Sequence, residues 1–185
     1  MIPRGYGPGA SFCPRCAAAL PGPAPTTCAR CRYQLFVNAR PTVGLVILDR
    51  DPPDGAVAEP SRPDLRFLAL RRAAEPMRGR WETPGGFCDG FEHPAEAAVR
   101  EAREELGVSI TLGDHLGMYV GSYEFQDEIL PVLDNFYLAT LDDPHVVLDP
   151  AESAELSWFS LVDPPPLAFA TMDAAVRDAV RRLGG

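Results

Sequence analysis

The chain has 185 residues, 46% of them hydrophobic, which suffices for one medium domain with its own core and a small appendage. Residues 1–40 carry five arginines and no acid, whereas residues 41–185 carry 12 arginines against 26 acids, a formal −14 within a total of −9. So acidic a body argues against broad nucleic-acid binding, and with no bilayer-length apolar run and no charged-then-apolar leader, the expectation is a cytoplasmic protein without a membrane partner.

The first chemical signal in chain order is Cys13-Pro14-Arg15-Cys16 followed, after eleven residues, by Cys28-Ala29-Arg30-Cys31. Two thiolates two residues apart can share one tetrahedral ion, and a second pair closes its shell. Cys13, Cys16, Cys28 and Cys31 therefore predict a structural Zn²⁺ site with no open position for chemistry. Two disulfides or a redox pair fit less well, because a redox motif seldom comes in duplicate. So short a segment can hardly build a core, so the metal should supply much of its folding free energy. The expected division is a zinc ribbon over 1–40 and a second domain over 41–185.

From Pro41 the texture changes. The β-branched run Thr42–Leu48 predicts a buried strand, a Pro/Asp-rich loop is expected from Asp49 to Asp64, and Leu65–Leu70 predicts a second strand pairing with the first as a hairpin. Arg71, Arg72, Arg78 and Arg80 follow, each able to grip a phosphate by bidentate hydrogen bonds, although a lone arginine is more often simply solvated. Pro84-Gly85-Gly86 reads as a turn that lets main chain approach a ligand.

Pro94 suits the first turn of a helix running to about Leu106 and stopping at Gly107. At about 100° per residue, Glu101, Glu104 and Glu105 project from one side, and Ala95, Ala98, Val99, Ala102 and Leu106 form a packing stripe on the other. Three clustered carboxylates repel one another, and a hard divalent cation turns that repulsion into binding. Glu92 and Arg100 read as an ion pair holding the preceding loop against the helix. Cys88 has no obvious partner and reads as a small hydrophobe.

Downstream, strands are expected over Met118–Phe125, Val132–Leu141 and Leu156–Phe159, with Tyr119, Tyr123 and Phe125 available for stacking or for the core. Glu124, Asp127, Glu128 and Asp134 are candidate bases outside the helix. Thr171 is expected to cap a final helix whose Met172, Ala175, Val176, Ala179, Val180 and Leu183 follow i, i+3, i+4 spacing. Mixed strands with two principal helices predict an α/β fold, an α/β/α sandwich.

Gly86, five residues, Glu92, seven residues, then Arg100-Glu101-Ala102-Arg103-Glu104-Glu105-Leu106-Gly107-Val108 resembles a complete Nudix box. The resemblance implies the α/β/α sandwich with a mixed sheet and a Mg²⁺- or Mn²⁺-dependent pyrophosphohydrolase. It also implies metal ligands at Glu101, Glu104, Glu105 and the Gly85 carbonyl, catalytic roles shared with Arg100 and Glu92, and substrate contacts from Arg71, Arg80 and Gly86. A zinc ribbon ahead of such a domain is similar to family members acting on ADP-ribose, FAD or NADH. The NADH branch carries an SQPWPFP-type signature after the box, and here the chain reads Gly121-Ser122-Tyr123-Glu124-Phe125-Gln126 instead, which lowers NADH in the ranking. The expected partner is a small nucleoside diphosphate derivative, with nucleic acid disfavoured. The ribbon would serve as a homodimer contact, a lid support or an adaptor for capped RNA, and a nucleotide-binding regulator without catalysis is the alternative to an enzyme.

Overall fold

Side-chain alternation along three strands decides how the layers form. In β3 (Arg40–Leu48), Val43, Leu45 and Ile47 pack on one side and Val46 on the other; in β4 (Arg66–Arg72), Leu68 and Leu70 oppose Phe67 and Ala69; in β7 (Glu128–Leu141), Tyr137 and Ala139 oppose Phe136 and Leu138. The first set meets Ala97, Ala98, Ala102 and Leu106 of α1 (Pro94–Leu106), and the second meets Ala175, Val176 and Ala179 of α2 (Ala170–Leu183). One helix therefore lies on each face of the sheet, the expected α/β/α sandwich. The computed structural model describes residues 10–49, 65–125 and 128–184.

The sheet runs β5 (Trp81–Glu82), β4, β3, β7, β6 (Ile110–Phe125), and β8 (Ser153–Ser160) pairs with β4. The β3–β4, β4–β5 and β4–β8 ladders are antiparallel, and a parallel bridge joins Trp81 to Leu167. β3 and β4 pair through Leu48 and Phe67 as the expected hairpin, and the predicted Pro/Asp-rich loop lies, from residue 50 on, outside the described residues. Gly44 is required by packing: a Cβ there would sit 2.2 Å from the Phe136 ring. β6, β7 and β8 each extend further than their apolar runs suggest.

Two compact units result, one drawing on Met1–Arg40 and Ser122–Val132, the other on Pro41–Gly121 and Leu133–Gly185. In the first, β1 (Thr26–Thr27) pairs with β2 (Gln34–Leu35). The second holds both helices and both core clusters. Thr171 does not cap α2. Phe169 occupies that position without a side-chain cap, and Thr171 is buried inside the helix. No helix among the described residues is long and apolar enough to cross a membrane.

Candidate functional site

Helix α1 starts and stops where its local chemistry dictates. His93 is the N-cap, its Nδ1 accepting from the Ala95 N–H, while Glu96 reaches back to the His93 N–H and Pro94 opens the first turn. Gly107, at φ 67°, ends it in the left-handed conformation. On that frame Glu101 and Glu105, one turn apart, are buried at 8% and 6% exposure, and Glu104 stands out in solvent.

Arg100 joins helix and loop. It grips Glu92 bidentately, with Nε to Oε1 and Nη2 to Oε2 both at 2.9 Å, donates to the Phe87 carbonyl at 2.9 Å, and offers Nη1 to Glu101 and Glu104 at 2.8 Å each. Hydrogen bonds from Arg100 hold Glu92 below the usual carboxylate range, and those to Glu92 push the Arg100 guanidinium up. One guanidinium thus fixes three of the predicted carboxylates.

Glu105 is different. Its Oε2 accepts the Gly85 N–H at 2.9 Å, and among the described residues no arginine pairs with it. Burial pushes its carboxyl well above the ordinary range, and Glu82, Glu101 and Glu152 add to the rise. Burial also raises Glu101, against Arg100. The two glycines make room for this crowding. A Cβ on Gly85, at φ 144°, would sit 2.1 Å from the Val43 carbonyl oxygen, and one on Gly86 would sit 2.5 Å from Glu101 Oε1.

Two acids absent from the sequence-based assignment belong here. Glu82 is buried and pairs with Arg72, yet burial still lifts its carboxyl to about 7. Glu152 is exposed on the segment between β7 and β8 and adds its field to Glu82, Glu101 and Glu105. That segment straps the end of α1, since the Val147 and Asp149 amides donate to the Leu106 and Glu105 carbonyls and the Glu152 carbonyl accepts from Ala73. Glu82 could have been found by pairing: it lies opposite Leu70, on the α1 face. Nothing in the sequence around Glu152 marks it.

Strand parity also separates the arginines. Arg71 lies opposite Glu155 on the α2 face and pairs with it at 3.1 Å in the open, so it is not brought to the carboxylates, and Arg80 is exposed. Arg72, one residue on, points to the α1 face and reaches Glu82. Of the other acids, Asp134 accepts from the Thr42 hydroxyl, Glu124 and Glu128 are exposed in the first unit, and Asp127 lies outside the described residues.

The cysteines form a second centre. Their four Sγ atoms lie within 4.8 Å of one another, with Cys13–Cys31 at 3.6 Å and Cys16–Cys28 at 3.7 Å. Zn–S bonds of about 2.3 Å at tetrahedral angles require S···S separations of about 3.8 Å, so the set fits zinc, and all four are free thiols. The two knuckles repeat one backbone pattern. Ala17 and Arg32, both with positive φ, donate to the Cys13 and Cys28 carbonyls, while the Cys13 and Cys28 amides donate to Ala18 and Tyr33.

Residues 40–183 match the NUDIX domain family. The chain is similar to the CTP pyrophosphohydrolase of Escherichia coli, at 32% identity over 117 residues, covering 63% of this chain and 82% of that protein. It is also similar to the ADP-ribose pyrophosphatase of Methanocaldococcus jannaschii, at 29% identity over 123 residues, 66% of this chain and 70% of the other. Against two further curated relatives the matched stretch spans 58% and 60% of their length. A crystal structure of a Nudix hydrolase from Nitrosomonas europaea superposes with a TM-score of 0.67 at 21% identity, covering 94% of this chain and 93% of that one. With the box intact, the sandwich formed and the family matched across 40–183, the chain belongs to the Nudix hydrolase family.

Proposed function

We propose that the chain is a Mg²⁺- or Mn²⁺-dependent pyrophosphohydrolase cleaving a nucleoside diphosphate linked to another moiety, with ADP-ribose or FAD ahead of NADH, to AMP and X-phosphate. The observation that carries it is Glu105: a buried carboxylate with no arginine paired to it among the described residues, beside Glu101 and within the field of Glu82 and Glu152. Unpaired buried anions are costly, and a divalent ion with its hard oxygen preference removes that cost. We assign Glu101 and Glu105 as its ligands, Glu104 as a ligand directly or through water, and the Gly85 carbonyl as a main-chain ligand, the Gly85 amide holding Glu105 in place. Bound there, the ion would neutralise the two phosphates and acidify a water.

The remaining residues orient and transfer protons. Arg100, braced by Glu92, fixes Glu101 and Glu104. Glu152, solvent-exposed at the edge of the cluster, takes the proton of the attacking water. The bond from phosphorus to the bridging oxygen then breaks, and that oxygen leaves on the second phosphate. Gly86 lets substrate approach Glu101 closely. The likeness to an ADP-ribose pyrophosphatase supports the substrate ranking, as does the sequence after the box. The cysteine knuckles we assign to one structural Zn²⁺. The test is the ratio of kcat/KM values for ADP-ribose, FAD, NADH, NAD and dinucleoside polyphosphates with Mg²⁺ or Mn²⁺. A clear NADH or triphosphate preference would overturn the ranking, and no hydrolysis would shift the assignment to a nucleotide-binding regulator.

A further inference from the structure

The start of α2 gives up a capping bond and gains a contact with a cation. Phe169 stands at the N-cap, at φ −129° and ψ 141°, with no side-chain bond to the first turn, although the position favours Ser, Thr, Asp or Asn. The sheet holds it there. Leu167 bridges Trp81 in parallel, and the Ala168 amide donates to the Trp81 carbonyl at 2.7 Å. The half-buried Phe169 ring thereby turns its face to the Arg72 guanidinium, whose carbon lies 5.4 Å from the ring centroid. That is within cation–π range, and with the Arg72 side chain only 12% exposed the attraction is little screened.

Arg72 needs such restraint because of what lies around it. Its charge is permanent, it pairs with Glu82, and Glu82 is close enough to Glu105 to raise that carboxyl. A guanidinium grips any carboxylate within its reach. Swung from Glu82 towards Glu105, it would neutralise the anion assigned to the divalent ion. Three contacts oppose that swing: Nε donates to the Pro76 carbonyl at 2.6 Å, Nη1 donates to Glu82, and the Phe169 ring attracts the cation from a third side. An aliphatic side chain at residue 169 would fill the place without that attraction.

We propose that Phe169 is a positioning residue for the divalent-ion site: its ring holds the Arg72 guanidinium on Glu82 and so keeps it off the carboxylates of Glu101 and Glu105. The inference rests on the metal-dependent reading of those carboxylates, and its test separates the two. Mn²⁺ titration of the full-length protein, followed by electron paramagnetic resonance, reads the site without turnover. Phe169→Leu, which keeps apolar bulk and loses the ring, should weaken Mn²⁺ binding by about fivefold. Phe169→Tyr, which keeps the ring, should bind as the wild type does. With Arg72→Met in place there is no guanidinium to restrain, and adding Phe169→Leu should cause no further loss. A role in packing alone would show the same loss in both backgrounds. Should Arg72→Met not fold, the contrast between Phe169→Leu and Phe169→Tyr still decides. Unchanged affinity in Phe169→Leu, an equal loss with and without Arg72, or a loss as large in Phe169→Tyr would overturn the positioning role and leave the hydrolase standing. A wild type without a Mn²⁺ site sensitive to Glu105→Gln would overturn the metal reading and this inference with it.

Discussion

Around the cysteines, the paired strands β1 and β2 are two residues long, and Phe12 and Phe36 stand 64% and 59% exposed. Glu101 and Glu105, by contrast, are buried on a helix whose packing residues Ala97, Ala98, Ala102 and Leu106 are fully buried beside them. In the first region four thiols are the convergent feature and apolar burial is slight, so the proposed zinc would be part of what folds it. In the second, the core is complete without any ion, and it holds carboxylates in a state they would not choose in water. On the proposed reading, one centre would be built by its metal, and the other is built to need one.

The largest effect expected from that contrast is at the cysteines. Cys13→Ser should release about one zinc per chain and unfold the cysteine segment, because structural zinc supplies on the order of 10 kcal/mol to such units. Metal analysis with heteronuclear NMR checks both, and a zinc-free variant with an unchanged spectrum would break the comparison. Next, Glu105→Gln should cut turnover by at least about 100-fold while the melting temperature holds or rises, since the substitution removes a buried charge. Wild-type turnover with unchanged Mg²⁺ dependence would refute the assignment.

A third expectation concerns pH. Burial raises Glu105, and raises Glu82 from 4.5 to about 7, so both bind protons more tightly folded than unfolded. Their contribution to stability is complete below the ordinary carboxylate range and is lost as pH rises through about 7, on the order of 3 kcal/mol for Glu82. The melting temperature of metal-free protein should fall between about pH 5 and pH 8, and Glu82→Gln or added Mg²⁺ should flatten the slope. A slope of the opposite sign would show that the carboxylates are stabilised as anions. The smallest effect belongs to Glu104→Gln: this side chain is solvent-exposed and leans on Arg100, so turnover should fall by about tenfold and well short of Glu105→Gln. Equal losses would place the two carboxylates on one footing.

What was legible in the sequence was local and periodic. Helix α1, its Pro94 start and Gly107 stop, its packing stripe and the cysteine knuckles all follow from spacings within a turn or two, and the structure forms each of them. Glu82, Arg72 and Glu152 depend on which strand lies beside which. A one-residue change of parity exchanges Arg71 for Arg72, and only the Leu70–Glu82 and Arg71–Glu155 registers decide it. Thr171 failed as a cap because α2 begins two residues earlier than such a cap requires, directly after the segment that pairs with Trp81 through Leu167 and Ala168. Strand lengths were underestimated because β6 and β7 continue past the runs that mark them in sequence, as neighbours in the sheet.

The strap across the end of α1 has a consequence for how this chain could vary. Helix carbonyls at Glu105 and Leu106 are answered by amides forty residues downstream rather than by a following turn, so the helix terminus and the connection after β7 open together or not at all. Amide exchange at Val147 and Asp149 should be as slow as in the helix itself. Insertions or deletions there, in a connection that would otherwise tolerate them, would be felt as a displaced Glu105, which makes this stretch of surface chain a poor site for grafting and a sensitive handle for tuning activity.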